Sequence, residues 1–280
     1  MQWRSVTGLA AVAGFACSAM ADINGFNGFN MVYRNFNDYP NSIITPTING
    51  SSGVRIMENM GPVNPDNPQK FANRHFAQFS DDNGVTRLSL QNNQSFKISY
   101  KMRINSNIDN DGSGMLWPQQ PEGGLWFFNN NAGDFSADGG IFVVGNGTVF
   151  VGGANQNFSL IAEGNISPAF TKGDILQMSY TYYAPGVAGA LAAYAVQFTN
   201  LTTNFTKTVF NTFDAGNPAL NGFIDGAGLG FRFQNTRNPL LGSDGTVNDT
   251  EYWDVVVVPT PGAASLLALG GLVAARRRRA

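Results

Sequence analysis

Ser95-Phe96-Lys97-Ile98-Ser99-Tyr100-Lys101-Met102-Arg103-Ile104 is the most regular stretch of the chain. Phe96, Ile98, Tyr100, Met102 and Ile104 alternate with Lys97, Ser99, Lys101 and Arg103. Successive side chains of an extended strand point to opposite faces, so one face of this segment can bury while the other meets water. The stretch therefore predicts a strand with one side on a core.

Working outward, the same alternation returns in Leu176-Met178-Tyr180-Tyr182, in Tyr194-Val196-Phe198 and in Leu229-Phe231-Phe233. Further apolar runs at 124–128, 140–144, 148–151, 206–213 and 252–258 are bounded by Gly, Asn, Asp or Pro, the residues that punctuate strands. Asn83-Gly84, Gly145-Asn146-Gly147 and Asn221-Gly222 suit tight turns, because positive φ costs those residues little. Pro62-Val63-Asn64-Pro65-Asp66-Asn67-Pro68 reads as an exposed loop. No long amphipathic helix competes, strands do not alternate with helices, and no internal repeat suggests a solenoid or propeller. Two sheets with one apolar face each must bury those faces against one another, so the expectation is an all-β, antiparallel two-sheet sandwich. The 280 residues, with 33 Gly, 22 Phe and 8 Tyr, agree with it.

The ends of the chain differ from its middle. Arg4, the apolar run Val6 to Ala16 and the small-x-small triplet Ala19-Met20-Ala21 before Asp22 form an export signal, residues 1–21. Signal peptidase and the secretion machinery are the implied partners, and the mature chain begins at Asp22. Cys17, the single cysteine, lies inside the signal and has Gly14 where a lipobox needs an aliphatic residue. Cleavage thus leaves neither disulfides nor thiolate zinc sites. The net charge of −2 conceals an acidic interior, since Arg4 and Arg276 to Arg279 sit outside the acidic span Asp22 to Asp254. Nucleic acid is excluded as a partner, because counterion release needs clustered Lys or Arg.

At the other end, Val258-Pro259-Thr260-Pro261-Gly262 leads into the uncharged run Gly262 to Ala275 and then Arg276, Arg277, Arg278 and Arg279. Fourteen helical residues reach about 21 Å, short of the roughly 30 Å hydrocarbon core. The arginines resist crossing and should stay cytoplasmic, so the exported chain would halt in the inner membrane. The plainer alternative is a short helix packed on the domain with a solvated basic tail. This tail resembles the PEP-CTERM sorting signal of exported proteins in Gram-negative bacteria that make extracellular polysaccharide. The resemblance covers residues 259–280 and implies recognition by an exosortase, cleavage near the Pro-x-Pro element, and delivery to the cell surface or extracellular matrix. Thr260 stands where that family has Glu.

Between the signals lies one domain, residues 22–258. Arg74-His75-Phe76-Ala77-Gln78-Phe79-Ser80-Asp81-Asp82-Asn83-Gly84 leads into Phe96-Lys97-Ile98-Ser99-Tyr100, and Tyr252-Trp253-Asp254-Val255-Val256-Val257 closes the order. That arrangement is similar to the concanavalin A-like jelly roll, including laminin-G-like domains.

The chemistry-bearing residues are few. His75, the only histidine, cannot build a metal cluster and reads as a hydrogen-bonded strand residue. The Glu-x-Asp-x-x-Glu pattern of jelly-roll glucanases, which sets two carboxylates on one sugar, is absent. Asp249 and Glu251 share a face by period two, as the solvated side of a last strand also would. No catalytic residue is assigned. Asn107-Ile108-Asp109-Asn110-Asp111-Gly112-Ser113-Gly114 places Asn107, Asp109 and Asp111 at the spacing that opens a calcium loop, but Pro118 occupies the position of the closing Glu. A looser calcium site completed by Asp134 or Asp138, or an ordinary polar turn, remain the two readings. Trp117, in a loop-like stretch, and Trp253, beside Glu251, are the candidate sugar-stacking residues. Trp126, between Leu125 and Phe127, reads as core. The expected protein is an exported, non-catalytic binder of extracellular polysaccharide, with a divergent glycoside hydrolase or lyase and a structural adhesin as rivals.

Overall fold

The computed structural model describes residues 25–61, 72–91, 94–107, 120–128, 137–153, 156–164, 166–188, 190–212, 226–237 and 245–259. The export signal, Trp117, Asp109, Asp111, Asp134 and the tail from Thr260 lie outside these residues. Among the described residues the strands are β1 Gly28–Asn37, β2 Ile43–Ile48, β3 Gly53–Asn59, β4 Ala72–Ser80, β5 Phe96–Ser106, β6 Glu122–Phe128, β7 Ala137–Val144, β8 Val149–Gly153, β9 Gln156–Ala162, β10 Leu176–Tyr183, β11 Ala193–Asn200, β12 Phe205–Thr212, β13 Gly228–Thr236 and β14 Val247–Pro259. They form two seven-stranded sheets, β1-β4-β13-β6-β7-β8-β9 and β12-β11-β10-β5-β14-β3-β2. Every pairing is antiparallel. The chain runs as a meander through β6 to β9 in the first sheet and through β10 to β12 in the second. Elsewhere it crosses repeatedly between the sheets, so distant segments become neighbours. β13 sits between β4 and β6, and β14 between β3 and β5.

β5 is the strand read from the opening stretch, and its burial alternates as predicted. Phe96, Ile98, Tyr100, Met102 and Ile104 enter one core with Leu176, Met178, Tyr180 and Tyr182 of β10 and Leu229, Phe231 and Phe233 of β13. Aromatic pairs join the two layers. Phe231 stacks on Tyr252 at 4.2 Å, and Phe127 meets Tyr180 at 5.1 Å. Such pairs add to the burial of apolar area that drives the layers together.

β1, β2, β3 and β9 were not evident from sequence. β2 and β9 are outer strands of their sheets with exposed Ile43, Phe158 and Leu160, so they lack a clean buried alternation. β1 carries an irregularity between Val32 and Phe36, with Arg34 at φ +50°. β3 buries Val54, Ile56 and the charged Glu58, and a charge on the inner face masks the pattern. β14 extends through Pro259, which pairs with Phe96, one residue beyond the expected end of the domain. No described helix is long and apolar enough to cross a membrane. The apolar run from Gly262 lies outside the described residues.

Candidate functional site

β6, β7 and β8 carry large apolar side chains on both faces. Leu125 and Phe127, Ile141 and Val143, and Val149 and Val151 fill the space between the sheets. The alternate residues Trp126, Phe142 and Phe150 must therefore point away from the second sheet, because strand side chains alternate. Together with Phe76 of β4 and Phe158 of β9 they make a row across the first sheet. Trp126 lies 6.2 Å from Phe76 and 4.7 Å from Phe142. Phe142 stacks on Phe150 at 4.5 Å with an interplanar angle of 6°, and Phe150 meets Phe158 at 5.6 Å. The row is graded. Phe76 is buried, Trp126 is 4% exposed, Phe142 and Phe150 are half-buried, and Phe158 is 64% exposed. Trp126 is thus buried as expected, but in a cluster of its own with Phe76 and Phe128 rather than between the sheets.

Glycines let the large side chains lie across the sheet. Trp126 is flanked in register by Gly230 of β13 and Gly140 of β7. Arg232 is paired with Gly124, whose φ is +131° and where a Cβ would fall 1.8 Å from the Ile141 carbonyl oxygen. Tyr252 supports this point from the second sheet. Its hydroxyl accepts the Gly124 N–H at 2.6 Å and donates to the Arg232 carbonyl at 2.5 Å.

A charged cluster occupies the buried end of the row. The Arg232 guanidinium, 3% exposed, lies 4.0 Å from the Trp126 ring centroid and 6.0 Å from that of Phe142. Its Nη2 pairs with Glu122 Oε2 at 2.8 Å and also donates to Gln234 Oε1. Gln234 Nε2 donates to Glu122 Oε1 at 3.0 Å. Arg74 Nε and Nη2 donate to Gln234 Oε1 at 3.1 and 2.9 Å. Burial pulls the Arg232 pKa down to about 10, with Glu122 opposing the shift and the positive field of Arg74 adding to it. Two donors of this cluster, Arg232 Nε and Trp126 Nε1, are buried without a hydrogen-bond partner.

A second polar cluster lies inside the sandwich. Glu58, fully buried, accepts from His75 Nε2 at 2.8 Å, Asn73 Nδ2 at 2.7 Å, Asn235 Nδ2 at 2.7 Å and the Ser42 hydroxyl. His75 Nδ1 accepts the Arg34 N–H at 3.0 Å, so the ring proton sits on Nε2 and points at Glu58. Burial is the largest single influence on the Glu58 pKa and raises it. The bonds from His75, Ser42 and Asn73 outweigh burial and leave the pKa below the ordinary 4.5. All four donors are satisfied by one carboxylate, so this is an internal tie, and His75 has the role its sequence context suggested.

The sequence candidates fall elsewhere. Trp253 is half-buried on the outer face of the second sheet, opposite Lys101 and Gly53, and so on the other side of the molecule from the aromatic row. Asp249 and Glu251 are taken up in ion pairs with Arg55 at 2.7 Å and Arg103 at 2.6 Å, the solvated face that the period-two reading allowed. Asn107 Oδ1 accepts the Val247 N–H at 2.9 Å and its Nδ2 donates to the Gly245 carbonyl. It therefore pins the start of β14. Among the described residues no three His, Cys, Asp or Glu side chains stand together as a metal site. An open cleft of about 950 Å³ lies beside β9 and β12, near Glu163, Asp174, Asn200 and Lys207. Lys207, Asn200 and Asp174 are engaged in bonds within the protein. Lys207 Nζ donates to the Leu160 and Ile161 carbonyls, and Asn200 Nδ2 donates to Asp174.

No family model matches this chain, and no curated protein matches it. Among solved structures it is similar to lectin II from Ulex europaeus, at 11% identity and TM-score 0.44, over 82% of this chain and 93% of that one. An alginate lyase of Polysaccharide Lyase family 7 matches at 10% identity and TM-score 0.43, over 75% of this chain and 80% of that one. A PL-14 alginate lyase from Aplysia kurodai matches at 9% identity and TM-score 0.45, over 79% and 92%. No residue correspondence follows from likenesses at that level.

Proposed function

We propose that this is an exported, non-catalytic carbohydrate-binding protein of jelly-roll form, sorted to the cell surface or extracellular matrix through its C-terminal tail. The observation that carries the binding role is the graded aromatic row Trp126, Phe142, Phe150 and Phe158 on the outer face of the first sheet. Aromatic faces offer flat apolar contact to the C–H faces of sugar rings, and Phe158 and Phe150 are the members open enough to provide it. β8, laddered to β7 and β9, presents Phe150 with little freedom to lose on binding, and Phe158 stands beside it on the edge strand β9. The repeated crossings of the chain between two seven-stranded sheets support the jelly-roll form. The glucanase carboxylate pattern is absent from the sequence, and Asp249 and Glu251 are held in ion pairs. These two features support a binding role over hydrolysis.

A glycan array probed with the exported protein tests the reading, with a chelator arm for calcium at the turn around Asn107. Retention on saccharides without turnover is the expected result. Reducing ends or unsaturated products would replace the binder with an enzyme, and an inert array would leave a structural adhesin. For sorting, Arg276, Arg277, Arg278 and Arg279 changed to Ser should leave the tail uncleaved in the inner membrane. Normal processing of that variant would remove the exosortase from the account.

A further inference from the structure

We infer that Asn49 is a site of spontaneous covalent modification, at which the side-chain amide is lost as ammonia and an aspartyl or isoaspartyl residue takes its place. The chemistry needs only water. The backbone nitrogen that follows an asparagine can attack its side-chain carbonyl carbon, and a following glycine leaves that approach open because it has no Cβ. Among the described residues four Asn-Gly pairs offer this step, at 27–28, 49–50, 83–84 and 146–147. As sequence they are equivalent, and the fold separates them.

In three pairs a reacting group is held. Asn27 Nδ2 donates to the Asp81 carbonyl at 2.9 Å, and its Oδ1 accepts the Asn83 N–H at 2.8 Å. The nitrogen that would attack Asn83 is engaged, since the Gly84 N–H donates to the Ser80 hydroxyl at 2.9 Å. Asn146 is buried, its Oδ1 accepts the Thr148 N–H at 2.9 Å, and the Gly147 N–H donates to the Val144 carbonyl at 2.9 Å. Asn49 and Gly50, in the hairpin between β2 and β3, are both exposed, and among the described residues nothing bonds the Asn49 amide or the Gly50 N–H. Only the Asn49 main chain is tied. Its N–H donates to the Gly53 carbonyl at 2.9 Å, and its carbonyl accepts from the Ser52 N–H at 3.0 Å and the Ser52 hydroxyl at 2.6 Å. Gly50 has a φ of +56°, and a Cβ placed there would meet no atom within 4 Å, so ring closure has room.

In the step itself the Gly50 nitrogen gives up its proton and bonds to Asn49 Cγ, while the Cγ–Nδ2 bond breaks and Nδ2 leaves as ammonia with that proton. Water then opens the five-membered imide at either carbonyl. Opening at Cγ gives aspartate, and opening at the main-chain carbonyl gives isoaspartate. No electrons are exchanged, and both products carry a carboxylate where a neutral amide stood. Isoaspartate also takes the carbonyl that Ser52 holds out of the main chain, so the modification reshapes the β2–β3 turn.

The test ages the full chain in neutral buffer and follows each Asn-Gly pair by peptide mapping with mass spectrometry. Asn49 should convert at least about tenfold faster than Asn27, Asn83 or Asn146, because the others must first break hydrogen bonds. The same ageing in urea removes those bonds, and the four rates should then draw together. Gly50→Asp keeps a residue that tolerates positive φ and crowds the attacking nitrogen, so it should slow conversion at Asn49 about tenfold. Conversion at Asn49 no faster than at the other three in the folded protein overturns the inference. So does a ranking that persists unchanged in urea, or a Gly50→Asp variant that ages at the parent rate.

Discussion

Phe158 and Tyr252 mark the two ends of what a single side chain does here. Phe158, 64% exposed, stabilises the fold little; its large apolar face in water belongs to the platform proposed above. Replacing it by Ala should lower saccharide affinity about tenfold, typical of an aromatic anchor, while the unfolding free energy from urea titration stays within about 0.5 kcal/mol of the original. An unchanged affinity in a folded variant would move the platform elsewhere. Tyr252 does the opposite. Its hydroxyl, pushed by burial well above the usual tyrosine pKa, stays neutral and ties the backbones of β6 and β13 at Gly124 and Arg232. Tyr252→Phe strands a buried N–H and a buried carbonyl, and should cost about 1–3 kcal/mol in denaturant unfolding. Because that tie also holds β6, which carries Trp126 of the aromatic row, saccharide binding should weaken with it. Neither role is visible in sequence, where Tyr252 only opens an apolar run and Phe158 falls in a segment whose pattern marks no strand.

At the level of elements, the first sheet depends on close backbone approach between β6 and β7. Gly124 has positive φ and faces the Ile141 carbonyl oxygen so closely that a Cβ would stand 1.8 Å away. Gly140 stands likewise 2.1 Å from the Leu125 carbonyl oxygen. Gly124→Ala combines strained dihedrals with overpacking and should cost about 3 kcal/mol or more, seen as loss of soluble protein or a collapsed unfolding midpoint. A variant with the original midpoint would mean that the two strands can separate freely. Alternation predicted β5, β10, β11 and β13 well, because each buries one face on the common core. It did not predict β2 and β9, whose apolar side chains Ile43, Phe158 and Leu160 are exposed, since a pattern can report only burial that follows it. Continuous apolar runs such as Leu125-Trp126-Phe127-Phe128 were legible as strands but not as two-faced ones.

Across the whole molecule, Glu58 couples the sheets. It projects from β3 of one layer to Asn73 and His75 of β4 and Asn235 of β13 in the other. Its pKa in the folded state lies below the ordinary 4.5, so its contribution to stability is present at neutral pH and is lost as the pH falls through the folded-state value. The protein should therefore unfold progressively more easily below about pH 4. Glu58→Gln turns an amide N–H2 towards four donors and should cost about 2–3 kcal/mol at pH 7. The gap between variant and parent should then narrow under acid, when the parent carboxylate is itself protonated. Urea titrations of both proteins at pH 7 and pH 3 measure this, and a gap independent of pH would show that the charge of Glu58 is irrelevant. Asp174, held down by bonds from Thr171 and Asn200 against the raising effect of burial, has the same sign and adds to the acid limb.

Local pattern alone determined that this chain is all-β, where most strands lie, and that His75 is a tied strand residue. Period-two alternation and turn residues act over a few positions and require no partner to be known. The pattern also yielded the export and sorting expectations, which rest on the order of charge and apolar length near each end. Which strands become neighbours was decided only in three dimensions, because the crossings between sheets bring together residues more than a hundred positions apart. Arg74, Glu122, Arg232 and Gln234 belong to three strands that meet only because β13 inserts between β4 and β6. The same insertion sets Trp126 beside Arg232 and leaves their two N–H groups without acceptors. A pairwise contact of that range has no signature in composition or spacing, so the candidate site had to be read from the folded molecule.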